Sequence, residues 1–98
     1  MFVPPVRPRP TMPGDPDWEP ALDVLHRRAG LSRRTAEIGL CYRAGLNQKE
    51  TAARICCTTA SVSEHTRRIY AVGRQYGIGN QASFAAYVEW VIITASHN

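Results

Sequence analysis

Between Thr59 and Arg68 the chain sets two hydroxyls (Thr59, Ser63), a carboxylate (Glu64) and two guanidinium groups (Arg67, Arg68) within ten residues. Val62, His65, Ile69 and Val72 recur at 3,4,3 spacing and form the inner stripe of a helix over about Thr59–Val72. That leaves Thr59, Ala60, Ser63, Glu64, Arg67 and Arg68 for the outer face. On such a face Arg67 can pair bidentately with guanine, and Glu64 can accept from cytosine N4. Thr59 and Ser63 are short, so they reach a base edge through water or bond a phosphate. An equal alternative for Glu64 is an i,i+4 pair with Arg68, or a plain surface charge. Lys49, Arg54 and Arg68 suit backbone phosphates, contacts that fix register without conveying sequence.

The other reactive side chains do not assemble. His65 has no carboxylate or thiol pattern to orient it as a base, and reads as a buried or half-buried structural histidine. No phosphate loop, paired-carboxylate spacing or nucleophile elbow is present, so no catalytic residue and no cofactor are expected. Cys41, Cys56 and Cys57 are an odd set with two adjacent members, a poor disulfide framework and a poor metal site. They read as reduced packing thiols, which suits the cytoplasm. Met-Phe-Val-Pro-Pro lacks the basic start and apolar run of a signal peptide. The apolar run Trp90–Ile93 is too short to cross a bilayer, and no membrane association is expected.

These groups need elements to position them. With 98 residues, 44% of them apolar, the chain has room for one small domain. All seven prolines fall within residues 1–20, so 1–17 reads as a proline-rich extended arm with Arg7 and Arg9 near its tip. From 18 to 98 the pattern is all-α. An extra N-terminal helix runs from Trp18 to Ala29, with Gly30 as its stop. Ser32 caps a helix through about Arg43, ended by Gly45; there Ile38, Cys41 and Tyr42 share a face. Asn47 caps Gln48–Ile55, and Glu50 completes a capping box. The inner face of that helix is Thr51, Ala52 and Ile55. Thr58 or Thr59 opens the next helix, and a loop over Tyr76–Asn80 leads to a final helix, Gln81–Ala95, with Phe84, Val88 and Val91 on one side.

Charge is concentrated in the middle of this layout. The net charge of +4 arises because residues 31–74 hold eight basic and three acidic side chains, while 1–30 are balanced and 75–98 carry only Glu89. A solvated surface explains that block as readily as a polyanionic partner does.

The order of motifs adds a resemblance. Leu31-Ser32-x-Arg34-x-x-Glu37-Ile38 is followed by Gly45-Leu46-Asn47-Gln48-Lys49-Glu50-Thr51-Ala52, then Ile55, Ser61-Val62-x-x-His65 and Ile69-Tyr70. This series resembles the LuxR/FixJ-type (GerE-like) helix-turn-helix DNA-binding domain, without a gap from Leu31 to Tyr70. Departures are Thr35 where an acidic residue is common, Gly39 at an apolar position, and Ser63 for a lysine. About three extra residues, nearly one helical turn, follow Ile69.

The resemblance implies a helix-turn-helix bundle of four core helices, with the helix from about Thr59 to Val72 in the major groove of double-stranded DNA. The base contacts would be Thr59, Ser63, Glu64 and Arg67, and the phosphate contacts Lys49, Arg54 and Arg68. It also implies a homodimer formed through the last helix, for which Trp90, Ile92 and Ile93 are the candidate residues. The expectation is a bacterial or phage transcription regulator of a single domain, with no room for a sensor. The rival expectation is a protein-interaction module that modulates full-length LuxR-type regulators or RNA polymerase.

Overall fold

The computed structural model describes residues 11–96; most of the expected arm, residues 1–10, lies outside the described residues. Five helices follow in order: α1 (Trp18–Ala29), α2 (Arg33–Arg43), α3 (Gln48–Arg54), α4 (Thr59–Gly73) and α5 (Gln81–Ser96), with a 3₁₀ turn over Arg74–Tyr76. No strand occurs among the described residues. The expected all-helical class and number of helices hold.

α2 is the hub. Seven of its eleven residues are buried, including Ala36, Ile38, Leu40, Cys41 and Tyr42, and it touches each of the other four helices. Its charged residues, Arg33, Arg34, Glu37 and Arg43, stay at least partly exposed, while the rest of the helix is enclosed by its neighbours. The Ser32 hydroxyl accepts from the Thr35 N–H at its start. At its end the N–H groups of Gly45 and Leu46 donate to the carbonyls of Tyr42 (2.9 Å) and Cys41 (3.1 Å). These two bonds satisfy carbonyls that a helix end would otherwise leave bare, and turn the chain towards α3.

α5 lies against α2 through Phe84, Val88 and Val91, all buried as its periodicity predicts. Phe84 stands edge-on to two rings, Tyr42 at 6.1 Å and Tyr70 at 6.4 Å, and so ties α2, α4 and α5 together. The approach depends on Gly39. A Cβ there would sit 2.7 Å from Val88 Cγ2 and 3.1 Å from Phe84 Cζ. The glycine that departs from the motif therefore serves close packing. Around this seam, Arg43 pairs with Glu89, and the Gln81 side chain donates to the Leu46 carbonyl at 2.8 Å.

α1 closes the other side with Trp18, Leu22 and Leu25. Arg33 donates two bonds to Glu19, at 2.9 and 2.6 Å, and these hold the Glu19 carboxyl below its usual range. Residues 11–17 lead into α1 through local contacts. Thr11 is buried, and Met12 and Asp15 exchange bonds, the Met12 N–H donating to Asp15 Oδ2 at 2.9 Å. Asp17 precedes α1 without bonding it through its side chain.

Gly39→Ala should lower stability by about 1–3 kcal/mol although alanine is the better helix former, because the added methyl overfills the α2–α5 seam. Chemical denaturation monitored by circular dichroism measures this. An unchanged or higher midpoint would show that the seam can relax.

Candidate functional site

α3, the four-residue connection over 55–58 and α4 present most of the expected site residues. Asn47 accepts from the Glu50 N–H at 2.8 Å while the Glu50 carboxylate accepts from the Asn47 N–H at 3.0 Å, the expected capping box. At the next helix start Thr58, not Thr59, is the cap, its hydroxyl accepting from the Ser61 N–H at 3.0 Å. Thr51 and Ala52 of α3, Ile55 after it and Val62 of α4 are buried between the two helices and the core.

The inner stripe of α4 departs from the expected one at its far end. Val62 is fully buried, His65 is half-buried as expected and Ile69 packs half-buried against the core, but Val72 is 67% exposed. The buried positions are instead Val62, Thr66 and Gly73, with Tyr70 half-buried against Phe84. The apolar spacing alone favoured Val72, yet the face turned to α2 and α5 runs through a threonine whose hydroxyl is absorbed locally. Thr66 Oγ1 donates to the Ser63 carbonyl at 3.0 Å, which makes it fit for a buried position.

On the opposite side Thr59, Ala60, Glu64, Arg67 and Arg68 are exposed as expected, and Ser63 is half-buried. Glu64 stands between the two arginines, 3.7 Å from Arg67 and 3.3 Å from Arg68. It thus adopts the pairing that was its alternative to base contact. Lys49 and Arg54 are exposed on α3. A groove of about 500 Å³ lies between the start of α3 and α4, lined by Gln48, Ser63, Thr66, Arg67, Tyr70 and Arg74, among others. Gln48 and Arg74 were not given a contact role from the sequence, since neither lies on an apolar stripe or on the outer face of α4 between Thr59 and Arg68.

Arg34 braces the connection. Its guanidinium donates to the Ile55 carbonyl at 2.8 Å and lies 3.4 Å from Glu37. Thr35 replaces a possible acidic partner, and Glu37 supplies the charge one turn on. Cys56, in the same connection, is the one non-glycine residue at positive φ (57°) among the described residues. The expectation of packing thiols holds for buried Cys41 and in part for Cys57, whereas Cys56 is exposed. Burial pushes the Cys41 thiol up to about 11.

The expected dimer residues divide. Trp90 is 61% and Ile93 45% exposed, while Ile92 is half-buried against the core. Trp90 stacks on Tyr87 at 6.3 Å. Both border an uncharged groove of about 640 Å³ with Tyr76 and Ile78. Tyr76 and Val72 extend the exposed apolar surface beyond the residues named from the sequence. Among the described residues no cluster of three or more His, Cys, Asp or Glu could hold a metal ion, and no helix is long and apolar enough to cross a membrane. Comparison with protein-family models, curated proteins and solved structures gave no match.

Cys56→Gly should raise stability, by up to about 1 kcal/mol, because an L-residue is strained in the left-handed region. Cys56→Val should lower it. Thermal unfolding under reducing conditions reports both, and equal stability of all three proteins would show that the corner stores no strain. In the native protein Cys56 should react with a maleimide at pH 8 well before Cys41, which is shielded and largely protonated there. Equal rates would show that the core opens freely.

Proposed function

We propose that the chain is a sequence-specific double-stranded DNA-binding transcription regulator of the LuxR/FixJ type. In this reading α3, the connection and α4 are its helix-turn-helix. The observation that carries the reading is the polar outer face of α4, exposed on a rod about 22 Å long, with further exposed cations on α3. Thr59, Ser63, Glu64 and Arg67 are the proposed base contacts, and Lys49, Arg54 and Arg68 the phosphate contacts. Glu64 pairs with Arg67 and Arg68 on the exposed helix surface, and on binding it releases them or accepts from cytosine N4. Binding, not catalysis, is the proposed role, with no cofactor.

One such helix contacts only a few base pairs, so useful specificity calls for two modules. We propose a homodimer through the α5 surface around Trp90, Ile92 and Ile93, widened by Tyr76 and Val72. Trp90, Tyr87, Tyr76 and Ile78 share one uncharged groove there, and an exposed apolar patch of this kind marks an interaction site.

A second reading, a protein-interaction module acting on full-length regulators of the same type or on RNA polymerase, is favoured by one observation. The Glu64 carboxylate offsets part of the positive charge on the face that would meet the duplex. Selection of bound fragments from genomic DNA, followed by gel-shift titration at several salt concentrations, separates the two. Nanomolar, salt-steep binding to a recurring site supports the regulator. Absence of such binding, together with capture of a purified full-length regulator, supports the interaction module.

Arg67→Ala should cost about 1–3 kcal/mol on the selected site and relax preference at one base pair. Equal losses on selected and random duplexes would make Arg67 a phosphate contact. Trp90→Ala should weaken self-association by about 2 kcal/mol in sedimentation equilibrium. A monomer in the unmodified protein would overturn the homodimer.

A further inference from the structure

The turn that lengthens α4 carries a cation with no ion-pair partner among the described residues, Arg74. Its backbone is still helical, at φ −57° and ψ −38°, so it lies seven residues beyond Arg67 on nearly the same face, offset by about 20°. The separation along the axis is about 10 Å. Both side chains line the groove between α3 and α4, with Gln48 on the facing wall.

The surrounding turn is tightly built. Gly73 is buried, and a Cβ there would come 2.9 Å from Ile78 Cβ and 3.2 Å from the Ile78 carbonyl. The Ile78 N–H donates to the Gly73 carbonyl at 2.9 Å, and the Gly77 N–H donates to the Arg74 carbonyl at 3.1 Å. Arg74 therefore leaves a fixed corner pointing away from the core, exposed and paired with no carboxylate.

We propose that Arg74 is a backbone-phosphate anchor that sets how deeply α4 enters the duplex. This rests on the duplex-binding reading above. A major groove is about 12 Å wide, and a helix about 22 Å long whose first turns meet base edges runs past the groove rim at its far end. The residue at that end meets the sugar-phosphate strand, and a guanidinium there grips a phosphate through two N–H groups. Gln48, half-buried on the opposite wall of the groove with its side chain bonded to the Tyr42 hydroxyl, stiffens the wall that Arg74 faces.

The test is a salt titration of full-length protein on the selected site and on a random duplex. Arg74→Ala should weaken binding to both equally, by about eightfold at 0.1 M salt, and lower the log–log salt slope by about 0.9. Arg74→Lys should keep the slope. Arg28→Ala should change neither, because Arg28 is an exposed cation on α1, a helix that does not pack on α4. An unchanged slope for Arg74→Ala, an equal drop for Arg28→Ala, or a loss confined to the selected site would each overturn the anchor while leaving duplex binding standing. Failure of the unmodified protein to bind either duplex would remove the reading beneath it.

Discussion

A Cβ on residue 39 would lie only 2.7 Å from Val88, so the depth at which α5 settles on α2 is set by a missing methyl group. Much follows from that depth. It places Phe84 between Tyr42 and Tyr70, and through the second ring contact it fixes the side of α4 that turns inward. Thr66 and Gly73 are then buried, and Glu64, Arg67 and Arg68 face solvent. The polar face of α4 is thus defined from behind, by apolar packing on the opposite side of the same helix.

Polar contacts refine this arrangement at its edges. Arg34 links α2 to the connection between α3 and α4 through the Ile55 carbonyl. Arg33 links α2 to α1 through Glu19, and Arg43 links it to α5 through Glu89. Exposed pairs such as the first of these add little stability individually. Their value is orientation: three arginines on one helix reach three neighbouring segments and fix how those segments sit around the core.

Much of the fold was legible because its punctuation is local. Ser32, Asn47 with Glu50, and Gly45 act within a few residues of themselves, so their chemistry can be read from the string of letters. The inward face of α4 was harder. Periodicity weighted Val72 above Thr66, and only the positions of Tyr42 and Phe84, distant in sequence, decide between stripes a few tens of degrees apart. Gly39 reads in the sequence only as a departure at an apolar position, because the neighbour it admits, Val88, is distant in the chain. On the candidate site, the exposed side chains of α4 were anticipated, whereas Gln48 and Arg74 join them only once α3 and α4 are set side by side. Ile92 was grouped with Trp90 and Ile93, and it is half-buried against the core where they are exposed.

Glu64, held between two guanidinium groups, has a consequence for how such a surface would discriminate. A carboxylate in the middle of a cationic face repels every polyanion that approaches, whatever its sequence. Only a partner offering a compensating donor at the right place recovers that cost. Selectivity on this helix would then come as much from turning away the wrong strands as from gripping the right one, and a weak grip on bulk nucleic acid would belong to the same mechanism.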